Sequence, residues 1–130
     1  MTILTSCLWI ALGSGLGGVC RHLLDLAVTS KAGNTFPWGT LIANASGSLL
    51  IGVLAALSLS SERLTVGQGA HAFAVIGFCG GYTTFSSFSL QSLQLLKTGQ
   101  YTAALGNVIG SVAICIAFTA FGFLLGKSLT

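Results

Sequence analysis

The sequence predicts an all-α membrane protein: four transmembrane helices per subunit, the third broken in its middle, paired as an antiparallel (dual-topology) homodimer. Three observations carry this expectation. Of the 130 residues, 53% are hydrophobic and only 5% are charged, against roughly 25% charged in a soluble domain. Four stretches, about 3–28, 37–59, 70–96 and 101–125, reach the ~20 apolar residues that a bilayer crossing needs. Loop charge is almost evenly divided between the two sides, which leaves insertion without a preferred direction. Residues 1–130 read as one transmembrane domain with short connections.

The ionic residues are Asp25 and Glu62 against Arg21, Lys31, Arg63, Lys97 and Lys127. The basic residues stand singly, so a net charge of +3 makes no stripe for nucleic acid. The first apolar run lacks a basic leader and a small-x-small stop, unlike a cleavable signal. Cys7, Cys20, Cys79 and Cys115 each fall inside a span and form no CxxC, so they read as packing residues rather than as disulfides or a zinc site.

Span one contains Gly13, Gly15, Gly17 and Gly18. No strand precedes them, which excludes a dinucleotide fingerprint; Gly13-xxx-Gly17 and Ser14-xxx-Gly18 supply faces for close helix contact. Arg21, His22 and Asp25 follow near its end. Arg21 has two readings, an interfacial anchor that snorkels or a positive vestibule that draws anions. One turn separates it from Asp25, close enough to pair.

Pro37 opens span two, where a missing N–H costs nothing, and Trp38 suits the membrane interface. Thr40, Asn44 and Gly47 then share one helical face, a polar stripe within a membrane helix. Asn44 either bonds between helices or donates its amide N–H to a passing anion.

Span three is expected to break near residues 79–84. Ala70–Phe78 has nine residues, roughly 13 Å of helix, too short to cross. The pair Gly80-Gly81 weakens the helix and frees carbonyls, as in discontinuous transporter helices, and freed carbonyls are cation ligands. Beyond it, Thr84, Ser86, Ser87, Ser89 and Gln91 supply hydrogen-bond donors. Phe85 and Phe88 share a face, either as plain packing or as ring edges, which are positive and suit anions.

Span four carries Asn107, Ser111 and Cys115 at successive turns, a second polar track. Gly106-xxx-Gly110 and Gly122-xxx-Gly126 add close-packing faces.

Orientation follows Lys and Arg in short loops. One side carries Arg63 and Lys127, the other Lys31 and Lys97, with Arg21 joining the second side if it snorkels. The near balance predicts insertion in both orientations and assembly as an antiparallel pair.

The segments Pro37-x-Gly-Thr-Leu-x-x-Asn44-x-x-Gly47, Gly77-x-x-Gly-Gly-x-Thr-Thr-Phe-Ser-x-Phe88 and Gly17-x-x-x-Arg21 resemble the Fluc (CrcB) fluoride channels over essentially the whole chain. The resemblance implies a dual-topology homodimer in the cell membrane (the bacterial inner or plasma membrane), with two fluoride pores and a central structural sodium ion. Fluoride would leave the cytoplasm passively, protecting cells in acid surroundings. By the same resemblance, Asn44, Phe85, Phe88 and Ser111 line the pores. Thr84, Ser86, Ser87, Ser89 and Gln91 form a polar track, and Arg21 sits near a vestibule. The carbonyls of Gly80 and Thr83, two from each subunit, hold the sodium. Two departures stand out: Gln91 replaces a frequent glutamate, and Asn107 stands where others place tyrosine.

Two rival readings fail on residues. A small dual-topology multidrug-type transporter needs a carboxylate deep in the membrane, whereas Asp25 lies near a span end and Glu62 in a loop. A non-conducting assembly subunit accounts for the small-residue faces but not for a broken span. An enzyme is excluded by the lack of paired carboxylates, of HExxH, or of a nucleophile spaced to His22 or His71.

Overall fold

The computed structural model describes residues 1–60 and 67–129. Every regular element among them is helical: α1 (Ile3–Ala32), α2 (Trp38–Ser60), α3 (68–82), α4 (Phe85–Lys97) and α5 (Tyr101–Ser128). Four helical stretches, with α3 and α4 together forming the third, are long and apolar enough to cross a membrane. The chain is a multi-pass membrane protein. Arg63, which enters the loop-charge balance, and Glu62 lie outside the described residues.

Boundaries follow local chemistry. Thr2 caps α1 by accepting the Thr5 N–H, and the helix runs to Ala32 rather than Val28. It stops where Gly33 takes φ 74°, a left-handed conformation that only glycine adopts cheaply. Pro37 precedes the first residue of α2, and its carbonyl accepts the Leu41 N–H at 3.1 Å.

Glycines set how closely the helices approach. A Cβ at Gly13 would meet the Phe73 carbonyl and the Phe78 nitrogen, and one at Gly17 the Phe78 carbonyl and the Tyr82 nitrogen. Gly77 and Gly81 of α3 return the contact against the Ile10 carbonyl and the Ser14 backbone. On the other side of the bundle, Gly52 abuts the Thr119 carbonyl while Gly122 and Gly126 abut Leu49 and Val53. Backbones meet directly here, the means by which membrane helices gain dispersion energy without a hydrophobic effect between them. Gly106 and Gly110 differ, for nothing lies within 4 Å of a Cβ at either. No described residue packs against that face.

Within α3, Ala72–Cys79 is π-helical, between a first α turn (Gln68–His71) and a last one (Gly80–Tyr82). The interruption falls inside the expected 79–84, at its far end rather than at the glycine pair. Gly80 has helical angles (φ −64°, ψ −36°), and the extended residues are Thr83 (φ −84°, ψ 157°) and Thr84 (φ −154°, ψ 115°). Side chains branched at Cβ favour extended backbone, so the two threonines make the opening, not the glycines.

Candidate functional site

An interruption at membrane depth exposes peptide groups that nothing in hydrocarbon can satisfy. Asn44 of α2 meets this need. Its Oδ1 accepts the Thr84 N–H at 2.7 Å, and its Nδ2 donates to the Thr84 carbonyl at 3.1 Å. One side chain thereby replaces both bonds that Thr84 would make inside a helix.

Around this brace several freed groups find partners. Thr84 Oγ1 accepts the Ser87 N–H at 3.2 Å, an ordinary N-cap for α4; it donates to Ser87 Oγ at 3.2 Å and shares a hydrogen bond with the Ser86 hydroxyl at 3.1 Å. Thr83 donates its N–H and its hydroxyl to the Cys79 carbonyl at 3.0 and 2.8 Å. Arg21 Nε donates to the Gly81 carbonyl at 3.3 Å, placing a cation at the negative end of α3. Arg21 forms no ion pair with Asp25. Because the Thr84 N–H goes to Asn44 and the Ser87 N–H to Thr84 Oγ1, the Gly80 and Thr83 carbonyls lose the donors an unbroken helix would supply.

Those two residues line a groove of about 390 Å³ together with Asn44, Thr84, Phe85, Phe88 and Ser111. A Cβ at Gly80 would meet nothing within 4 Å, so its backbone is openly approachable. The two phenylalanines differ: Phe88 is 8% exposed and Phe85 77%, with ring centroids 5.2 Å apart and planes tilted by 46°. Carbonyl oxygens, hydroxyls and aromatic rings thus converge beside the interruption. The carbonyls offer cation ligands, the rings offer positive edges, and among the described residues no fixed charge lines the groove.

Other expected site residues lie elsewhere. Gln91 lines a second, polar cavity of about 370 Å³ with Asp25, Asn34 and Gln94; its Oε1 is buried without a partner. Ser89 is exposed and donates to the Phe85 carbonyl of its own helix at 2.9 Å. Ser86 and Arg21 flank the interruption without lining the groove.

One participant escapes sequence reasoning. Ser92, one turn beyond Phe88, is buried and accepts the Asn107 Nδ2–H at 2.9 Å, while Asn107 Oδ1 accepts the Ser111 hydroxyl at 3.2 Å. The periodic track Asn107–Ser111 was the signal for its existence, since a buried amide requires partners; which serine faced it was not readable.

The family model described as CrcB-like protein, Camphor Resistance (CrcB), matches residues 8–123. A Methylocella silvestris protein named fluoride-specific ion channel FluC is 43% identical over 122 residues, 94% of this chain and 93% of that one. An Opitutus terrae protein of the same name is 46% identical over 117 residues, 90% and 89% of the two chains. A Bradyrhizobium diazoefficiens protein named fluoride-specific ion channel FluC 2 is 44% identical over 127 residues, 98% and 93% of the two. A match spanning all four helices and the interruption between α3 and α4 has one reading: the chain belongs to the CrcB-like family.

Proposed function

We propose that this protein is a fluoride-selective channel that lets fluoride leave the cytoplasm passively, and that it works as an antiparallel homodimer with two pores. The observation that carries the reading is the groove beside Thr83 and Thr84, where hydroxyls and aromatic rings meet with no fixed charge among the described residues. Fluoride is small and strongly hydrated, so its path must replace water with donors and still release the ion. Asn44, Phe85, Phe88 and Ser111 line that path. A charged donor at its centre would trap the ion.

Two features support a second copy. The groove presents polar backbone and Asn44, Thr84 and Ser111 on the flank of the bundle, and polar groups at membrane depth require a protein or aqueous cover. The open face at Gly106 and Gly110 has the small residues of a close helix contact. An inverted twin answers the balanced loop charges.

The Gly80 and Thr83 carbonyls fit a sodium ion, because both have lost their helical donors and both residues line the groove. They are half a set; a two-fold axis would supply the other half. Bound there, sodium would supply charge that holds two opened backbones together.

The test is efflux from liposomes holding purified protein, fluoride against chloride, on an ion-selective electrode. Rapid fluoride loss with chloride retained is the expected result. Equal permeability to both, or none to either, would overturn the proposal.

A further inference from the structure

The hydrogen bonds joining α4 to α5 run in one direction. Ser92 Oγ donates its only hydrogen to the Phe88 carbonyl at 2.8 Å. Toward Asn107 it can therefore only accept, and it takes the Nδ2–H at 2.9 Å. That fixes the amide, with nitrogen toward Ser92 and Oδ1 toward Ser111. Ser111 then donates to Oδ1 at 3.2 Å. All three side chains are buried, and Ser111 borders the groove.

The consequence is a mismatch of polarity. Ser111 has spent its hydrogen on Asn107, so at rest it offers the groove only lone pairs, which repel an anion. Its bond to Oδ1 is the longest of these three and exceeds the usual O–H···O range of about 2.5–3.0 Å, which makes it the easiest of them to break. On the reading that the groove conducts an anion, we infer that Asn107 and Ser92 are positioning residues: they hold the Ser111 hydrogen in reserve and set how readily it turns to a passing fluoride. Each transfer of that hydrogen bond to the ion leaves Asn107 Oδ1 unpaired, an opposing cost that keeps the ion loosely held. No proton leaves the serine; only the hydroxyl turns.

Ser92→Ala removes the acceptor that orients the amide. Asn107 can then turn Nδ2 toward Ser111, whose hydrogen is released to the groove. The half-saturating fluoride concentration for flux should fall about tenfold, the worth of one hydrogen bond to an ion. Ser92→Thr, which keeps the hydroxyl, should behave as the parent protein. In a Ser111→Ala background, Ser92→Ala should change nothing. An equal effect of Ser92→Ala in both backgrounds, or none in either, overturns the inference, because the network then acts as scaffold alone. A second readout does not depend on conduction. Titrating fluoride should shift the NMR resonances of the Asn107 side-chain amide in the parent protein and not in Ser111→Ala. An unmoved amide in a conducting protein refutes the relay. A protein without fluoride flux refutes the channel reading, while the amide titration still reports on the relay.

Discussion

Replacing Asn44 by leucine should unsettle the whole bundle, although the side chain keeps four heavy atoms branched at Cγ. The change deletes two bonds to Thr84, of 2.7 and 3.1 Å, and leaves a backbone N–H and a C=O without partners. An ordinary interhelical side-chain bond in a membrane averages only about 0.6 kcal/mol, because the separated helices find other partners. That discount concerns side chains; in the folded bundle Thr84 is extended, so its peptide groups keep no helical partner once Asn44 is gone. Each orphaned buried group costs about 1–3 kcal/mol, so two cost about 2–6. Thr84 is only half-buried, which favours the low end, about 2 kcal/mol or a 30-fold shift toward the unfolded state. Equilibrium unfolding in mixed micelles, followed by Trp9 and Trp38 fluorescence, measures it. Ser89→Ala is the control: Ser89 is exposed and bonds its own helix, so its loss should stay within ~0.5 kcal/mol. If Asn44→Leu unfolds with the parent protein, the brace contributes nothing and the account of the interruption is wrong.

Four further outcomes are expected. Gly17→Val should yield little folded protein, because its Cβ would press into the Phe78 carbonyl, whereas Gly15→Ala, with nothing within 4 Å, should hold or gain up to about 1 kcal/mol from helix propensity; expression and unfolding of the pair separate these. Gly106→Leu and Gly110→Leu should leave the subunit folded and abolish the dimer, read by crosslinking in lipid. Phe85→Ile should reduce fluoride efflux with stability unchanged, since the ring is 77% exposed, while Phe88→Ile should cost both, since that ring is 8% exposed; unaltered flux in both would make the rings mere packing. A reporter fused to the C-terminus should be found on both faces of the membrane, and a reporter on one face alone would end the dual-topology proposal.

Much of the fold was legible because a bilayer imposes one length and one polarity on every crossing, and the hydropathy of this chain changes sharply at its loops. Finer placement depended on partners that sequence does not pair. Gly80-Gly81 drew the expected opening, yet Gly81 serves contact with Ser14 and Gly80 keeps helical angles. The opening sits at two threonines because Asn44, forty residues earlier, can satisfy the peptide exposed there. The same difficulty affects the small-residue repeats. Gly13-xxx-Gly17 and Gly122-xxx-Gly126 are consumed inside the subunit while Gly106-xxx-Gly110 faces outward, and the motif reads alike in all three. Ser92 resembled any other serine until Asn107 was placed against it.

The brace between Asn44 and Thr84 also orders events during synthesis. An isolated third segment, leaving the insertion machinery for lipid, has no means of satisfying an opened backbone, so its stable form there is a continuous helix. The opened form becomes affordable only once the second segment lies alongside with its amide presented. The interruption is therefore acquired during assembly rather than carried in by the segment. A nascent chain arrested after the third segment but lacking Asn44 should hold that segment straight.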